Sequence, residues 1–331
     1  MTAIRSLSIM GESLPLKAPF RISRGVKNAI DVIVANISEG GMTGRGEGIP
    51  YAHYGQTIES TLIEANSISH KITEHYGREA ILSMLPAGPA RNAIDCALWD
   101  IEARISGQSV AEIMGIPELK PLATAMTVSL DDPEVMARAA AKLAYCPVIK
   151  VKVDAHNPQE CIKAVRDQAP SARLIVDPNE SWSFELLEKI QNFLADARVA
   201  LLEQPLPTGE DEGLSNFTPA VPICADEAFH SADDLEHIAG RYQVINIKLD
   251  KTGGLTAAIE IMKQARSLNL SIMVGCMVCS SLSIAPAFHL ASQADFVDLD
   301  GPDWLVQDRN DGMLIDNGII HPPAPTFWGG P

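Results

Sequence analysis

The sequence predicts an α/β protein: an α+β domain in the first third, then a barrel of eight parallel strands wrapped by helices. Three observations carry this. From about residue 122, short β-branched runs recur roughly every two dozen residues, eight times in all. Helical segments alternate with them; regular βα repetition means a parallel sheet, and eight such units close into a TIM-type barrel. Before residue 122 the order differs, with strand-like runs first and helical runs after them, as in an α+β domain.

In the first part, "IRSLSIMGESLPL" and "AIDVIVANISEG" read as strands joined by "KAPFRISRGVKN". "GMTGRGEGIPY" reads as a glycine-rich strand and turn; it lacks the strand–GxGxxG–helix context of a dinucleotide site. Helical patterns follow in "TIESTLIEANSISHKITEHY" and "GPARNAIDCALWDIEARISGQSVAEIMG". The second places Ile94, Ala97, Leu98 and Ile101 on one face. The barrel strands are "LATAMTVSL", "VIKVKVD", "RLIVDPNES", "VALLEQPL", "VPICADEA", "VINIKLD", "LSIMVGCM" and "ADFVDLD". Helices such as "PEVMARAAAKLA", "PQECIKAVRDQA", "FELLEKIQNFLA" and "LTAAIEIMKQARSL" lie between them. The expected division is 1–118, 119–301 and a C-terminal segment, 302–331.

Nearly half of the 331 residues are apolar, enough for a large core. A formal charge of −16 argues against nucleic acid or an anionic membrane as a partner. No apolar run is long enough to span a bilayer, and "MTAIRSLSIMGESLPL" lacks the n- and h-regions of a signal peptide. The six cysteines show no disulfide-framework spacing, so a reduced, cytoplasmic protein is expected. Cys276 and Cys279 form a C-x-x-C after a strand rather than at a thioredoxin-like helix, and are read as structural. The oligomeric state stays open, a homo-oligomer included.

In a TIM-type barrel the active site lies at the C-terminal ends of the strands. There the sequence places Lys150 and Lys152 on strand two, Asp177 on three, Glu203 on four, Asp226 on five, Lys248 on six, and Asp298 and Asp300 on eight. One such carboxylate would pass as a helix cap. Three on successive strands would repel unless a cation neutralised them, and hard oxygen ligands suit Mg²⁺ or Mn²⁺.

The lysines then have a purpose. Lys152 and Lys248 fall on opposite sides of the barrel mouth, with the carboxylate strands between them. A substrate carboxylate held at the cation would set its α-carbon between two amines, one to remove a proton and one to return it on the other face. The cation would offset the second negative charge of the enediolate. Lysine is a poor base at its ordinary pKa of ~10.4, and Lys150 beside Lys152 is expected to lower it by repulsion.

These segments resemble the muconate-lactonising subgroup of the enolase superfamily: the Lys-x-Lys of "IKVKV", "IVDPNES", "LLEQPL", "CADEA", "NIKLDKTGG" and "ARNAIDCALWDIEARISG". The D-x-D of "VDLDGP" is similar to that of dipeptide epimerases. "PFRISRG", "PYAHYGQT", "LPAGPARNAIDCALWD", "NIKLDKTGGLT" and "GCMVCSS" resemble the bacterial L-Ala-D/L-Glu epimerases over nearly the whole chain.

The resemblance implies an enolase-type modified (β/α)7β barrel under an N-terminal α+β capping domain, with the C-terminal segment packing back on that domain. It implies Mg²⁺ held by Asp177, Glu203 and Asp226, an acid/base pair of Lys152 and Lys248, and Lys150 as electrostatic partner. Asp298 and Asp300 would bind a dipeptide's α-ammonium, Arg24 of "ISRG" a glutamate γ-carboxylate, and Thr127 and Ser281 further parts of the substrate. Asn179 would support the metal shell, and murein peptides would be the physiological source of substrate. Pro178 and the tail "HPPAPTFWGGP" depart from the family pattern.

Cycloisomerases, o-succinylbenzoate synthases and N-acylamino acid racemases share the lysines and carboxylates. Their substrates carry no free ammonium, so the D-x-D favours a dipeptide. A metal-dependent peptide-binding protein without activity is the alternative outside enzymes; two costly buried lysines argue against it.

Overall fold

The structure is a computed structural model that describes residues 4–331. Residues 1–3, part of the stretch read above for a signal peptide, lie outside it. Strands β1 (Ser6–Ile22), β2 (Gly25–Glu39) and β3 (Met42–Gly48) form an antiparallel sheet in that order. The segment "KAPFRISRGVKN" is not a connecting loop. Past an irregularity between Pro15 and Phe20 it continues the pairing, with Phe20 opposite Lys27 and Ile22 opposite Gly25. The result is a long hairpin turning at Ser23 and Arg24.

Gly44, Gly46 and Gly48 alternate on one face of β3. A Cβ at Gly46 would stand 2.1 Å from the Ala93 carbonyl oxygen, so the glycine stripe lets the helix Pro89–Ser106 lie directly on the strand. That helix is buried on nearly all sides, not only along the Ile94–Ile101 face. One side meets the sheet and the other meets the barrel, where Arg91 donates to the carbonyls of Thr252 and Gly253 at 2.7 and 2.9 Å.

The run "LATAMTVSL" divides. Its first part, β4 (Leu122–Ala123), belongs to another sheet, and its second, β5 (Ala125–Val128), opens the barrel. The barrel continues through β6 (Val148–Lys152), β7 (Arg173–Asp177), β8 (Val199–Glu203), β9 (Ile223–Ala225), β10 (Val244–Ile247), β11 (Ser271–Gly275) and β12 (Phe296–Asp298). The eight are hydrogen-bonded in chain order, and every pair is parallel. Between β12 and β5 the junction is made by single bonds, Leu299 N–H to Thr124 Oγ1 and Thr127 N–H to Asp300 Oδ2, both 2.8 Å.

The sequence pattern alone suggested eight βα units. Only a 3₁₀ turn follows β12, which leaves seven crossovers and the enolase-type (β/α)7β barrel; in one of the seven, between β8 and β9, a 3₁₀ turn, Glu212–Asn216, stands in place of the helix.

The C-terminal segment makes several contacts. β13 (Ile315–Asp316) and β14 (Ile319–Ile320) join β4 in a small antiparallel sheet. Further on, Trp328 Nε1 donates to the Arg45 carbonyl and Gly329 N–H to Asp100 Oδ1. The seam between the two domains is fastened by buried carboxylates. Asp250 Oδ1 accepts from Ile49 N–H and Asn92 Nδ2, and Glu47 accepts from Ser280 N–H and Arg309. Burial pushes Asp250 up to about 7.

Candidate active site

The site follows from strand alternation. Residues i and i+2 share a face. An apolar plug of Ala125, Val148, Ile175, Leu201, Cys224, Val244 and Met273 fills the barrel interior. Two residues beyond these stand Lys150, Asp177, Glu203, Asp226 and Asn246, and two further on Lys152 and Lys248, all buried. β6 lies between β5 and β7, so its lysines do not blunt a sheet edge.

Ion pairs knit these groups together. Lys150 Nζ lies 2.7 Å from Glu203 Oε2, 2.8 Å from Asp298 Oδ2 and 3.1 Å from Asp177 Oδ2. Lys152 donates to Asp177 Oδ2 at 2.5 Å and to Asn179 Oδ1 at 3.0 Å. Lys248 donates to Asp226 Oδ2 at 2.7 Å. Burial opposes charge on Lys150, but the carboxylates of Asp298, Glu203 and Asp177 outweigh it and hold its pKa well above the lysine range. Burial likewise opposes ionisation of Asp177, yet Lys152 and Lys150 bring it down to about 2.

Glu203 differs. Burial and the charge of Asp177 push it up to about 8, with Lys150 opposing. Its Oε2 is buried and, although close to Lys150, makes no hydrogen bond. A buried carboxylate so poorly compensated, next to Asp177 and Asp226, suits a hard divalent cation. No trio of Asp, Glu, His or Cys side chains among the described residues forms a finished ion cage, because the carboxylates are closed onto lysines. The donor chemistry fits such an ion.

Asp298 and Asp300 are both buried. Asp298 Oδ2 takes Lys150, while its Oδ1 is buried and unpartnered. Asp300 accepts from Thr127 N–H, and burial plus the charge of Asp298 raises it to about 7. Thr127 also lines the cavity. Asn179 links Lys152 to Glu227, donating to Glu227 Oε1 at 3.2 Å.

Ser281 is not brought to the site. It is buried at the start of the helix Ser281–Ala291, where its N–H and Oγ bind the Asp308 carboxylate and its Oγ accepts from Met313 N–H. Arg24 does reach the cavity, already engaged: Nη2 lies 2.6 Å from Glu227 Oε1 and Nη1 lies 2.8 Å from Glu180 Oε2.

Several residues carried no role in the sequence reading, although most lie inside segments quoted above. Lys251, fully buried, donates to Asp226 Oδ1 at 2.6 Å, one helical turn beyond Lys248 in "KLDK". Glu227 is hidden behind its neighbour Asp226. Tyr51, His53, Tyr54, Phe20 and Lys27 roof a cavity of about 450 Å³ whose floor is the barrel mouth. The Lys-x-Lys spacing of "IKVKV" reports the floor; the roof arises from the hairpin and the segment after β3 folding over it.

Fold and site are those of an enzyme working at the mouth of an enolase-type barrel, and the relatives it resembles are epimerases and racemases, a class of isomerases. Residues 4–115 match the mandelate racemase / muconate lactonizing enzyme N-terminal domain, and residues 134–325 match the enolase C-terminal domain-like family. The chain belongs to this family, within the enolase superfamily. It is 43% identical to the L-Ala-D/L-Glu epimerase of Escherichia coli K12 over 320 residues, covering 96% of this chain and 100% of that one. It is 42% identical to an N-acetyl-D-glutamate racemase of Pseudoalteromonas, covering 90% and 95%. An Agrobacterium tumefaciens enolase family member with homology to dipeptide epimerases superposes with a TM-score of 0.96 at 41% identity. That match covers 98% of this chain and 100% of the other, whose crystal contains sodium and L-Ala-L-Glu.

Proposed function

We propose that the protein epimerises the C-terminal residue of dipeptides, with L-Ala-D/L-Glu as preferred substrate, through proton transfer by two lysines. The observation that carries this is the placement of Lys152 and Lys248. Both are buried, both line one cavity, and they stand at the ends of β6 and β10, with three strands that end in carboxylates between them. An α-carbon held between them is open to one amine on each face. One takes the α-proton, and the other delivers a proton to the opposite face of the planar enediolate.

Asp177, Glu203 and Asp226 would hold Mg²⁺, with Mn²⁺ as a substitute; when bound, the cation neutralises charge that grows on the substrate carboxylate. Lys150 adds fixed positive charge beside Asp177 and Glu203. Asn179 and Lys251 orient Lys152 and Asp226. The unpartnered Asp298 Oδ1, with Asp300 beside it, suits a substrate ammonium. A cytoplasmic role on murein-derived L-Ala-D-Glu would follow.

N-acylglutamate racemisation is the second reading, favoured by the Pseudoalteromonas relative. It leaves Asp298 Oδ1 without a partner in the bound state. The test compares L-Ala-L-Glu with N-acetyl-L-glutamate and N-acetyl-L-Ala-L-Glu by α-proton exchange in D₂O. The loss of a charge-assisted hydrogen bond, about 1.5–3 kcal/mol, should lower kcat/KM for both acylated compounds by roughly tenfold or more. Equal rates would remove the ammonium from the argument. No exchange with any dipeptide would end the epimerase reading.

A further inference from the structure

The C-x-x-C pair lies between β11 and the helix Ser281–Ala291, and its two thiols have different surroundings. Cys276 follows directly on β11 and lines the active-site cavity, whereas Cys279 is fully buried. The chain bends at Val278, and the two thiols are hydrogen-bonding neighbours. Burial and the Cys276 contact both push the Cys279 thiol well above the ordinary cysteine range. The other four cysteines, Cys96, Cys146, Cys161 and Cys224, are buried. Cys276 is therefore the thiol that a solute in the cavity can reach, and Cys279 is the partner behind it.

Both ends of this segment are fixed. Gly275 pairs with Asp298 between β11 and β12, and Ser280 N–H donates to Glu47 Oε1 at 2.9 Å. Its middle rests on the residue after the D-x-D. A Cβ at Gly301 would stand 2.8 Å from Cys279 Sγ and 2.8 Å from the Met277 carbonyl oxygen, so only a glycine lets the two chains lie together. A covalent link across the turn cannot be absorbed at its ends. It must move the part of the cavity wall formed by Cys276, Met277 and Val278, beside Asp298 and Asp300.

We propose that Cys276 and Cys279 are an oxidation site: a hydroperoxide entering the cavity converts them to a disulfide, which reshapes the wall and lowers turnover reversibly. In the first step the Cys276 sulfur attacks the peroxide. An S–O bond forms as the O–O bond breaks, giving Cys276 sulfenic acid and one water. In the second, the Cys279 sulfur attacks that of Cys276. The S–S bond forms, the S–O bond breaks, and the hydroxyl leaves with the Cys279 proton as a second water. The two thiols are oxidised and the peroxide is reduced, so electrons and atoms balance. The effect on turnover rests on the dipeptide epimerase reading; the disulfide does not.

The experiment treats the whole enzyme, reduced and freed of reductant, with hydrogen peroxide. It follows mass and kcat/KM for L-Ala-L-Glu together in wild type, Cys276→Ser and Cys279→Ser. Wild type should become lighter by two hydrogens, with the link mapped to Cys276 and Cys279 in its peptides. Its kcat/KM should fall by about tenfold or more, the scale expected when a site wall shifts by about 1 Å. Dithiothreitol should restore it, which excludes oxidation of Met277 as the cause, since a sulfoxide needs a dedicated reductase. Cys276→Ser should form no link and keep its own untreated rate within about twofold. Cys279→Ser should also form no link, and its Cys276 should be trapped by dimedone as the sulfenic acid.

Absence of a link in wild type, at peroxide concentrations that oxidise glutathione in the same tube, overturns the proposal. So does a link through any other cysteine, a link that leaves kcat/KM unchanged, or a Cys276→Ser enzyme that peroxide inactivates as it does wild type. If the reduced enzyme turns over no dipeptide, the epimerase reading fails and the effect on turnover falls with it, while the mass still decides whether the oxidation site exists.

Discussion

Removing one lysine at a time should separate the two faces of the substrate. In many buried ion clusters such a deletion is uninformative, because an orphaned carboxylate costs about 3–5 kcal/mol and the fold suffers. Here each carboxylate has a second cation. Without Lys152, Asp177 keeps Lys150 at 3.1 Å and the Asn179 N–H at 2.9 Å. Without Lys248, Asp226 keeps Lys251 at 2.6 Å. Lys152→Ala and Lys248→Ala should therefore destabilise within the ordinary range of about 0.5–3 kcal/mol.

The chemistry should respond far more strongly. A positioned acid or base contributes roughly 10²–10⁴ in rate, so epimerisation should fall by at least that factor in either variant. Each variant should still exchange the α-proton of one diastereomer, since its remaining lysine faces one side. Polarimetry on L-Ala-L-Glu and L-Ala-D-Glu, with proton NMR in D₂O, reads both quantities. Near wild-type epimerisation by either variant, or exchange of both diastereomers by a single-lysine enzyme, would refute the two-base reasoning.

Chelation should abolish turnover, and Asp226→Asn should raise the Mg²⁺ concentration for half-maximal activity by more than about tenfold; full activity in metal-free buffer would contradict this. Gly46→Ala drives a Cβ to 2.1 Å from the Ala93 carbonyl and should cost about 1–3 kcal/mol or more in denaturant unfolding, whereas a neutral result would mean the helix can lift off β3. His289 is buried against Trp328, and burial lowers its pKa to about 4. Its neutral form is favoured by the fold, so its contribution is intact above pH 6.5 and lost as pH falls toward 4. That amounts to about 3 kcal/mol, and His289→Phe should flatten the stability–pH curve in this window; parallel curves would exclude it.

The barrel floor was legible because two simple periodicities coincide there. Alternation by two sets Val148, Lys150 and Lys152 on one face, and the first charged residue after each apolar run marks a strand end. The roof was not legible. "KAPFRISRGVKN" lacks alternating apolar residues, so it reads as a connection. Its strand character comes from cross-strand hydrogen bonds, such as those pairing Phe20 with Lys27, which no local pattern reports. Ser281 fails for another reason: lying just after β11 in sequence says nothing of where its side chain points, and the Asp308 carboxylate claims it. The long helix misleads in the opposite sense. Its apolar stripe shows one buried face, while its polar residues Arg91, Asn92 and Asp95 are buried too, in the seam against the barrel.

The Escherichia coli and Pseudoalteromonas relatives agree on a glutamate and differ in what its nitrogen carries. Under the proposed function these two features would fall to different parts of the chain. Groups suited to the nitrogen side, Asp298 and Asp300, sit at the end of β12, tied to Lys150 and to Thr127. Groups that would suit the side chain sit on the β1–β2 hairpin, whose contacts with the barrel include Arg24 to Glu180 and Glu227 and Ser23 Oγ to the Asn179 carbonyl. The metal-type carboxylates and the paired lysines belong to neither. A substitution in the hairpin can therefore change the preferred side chain without disturbing proton transfer. A substitution at Asp298 cannot be so confined, because its Oδ2 is one of three anions that hold Lys150 in place. Side-chain preference should consequently vary more freely than the requirement for an ammonium.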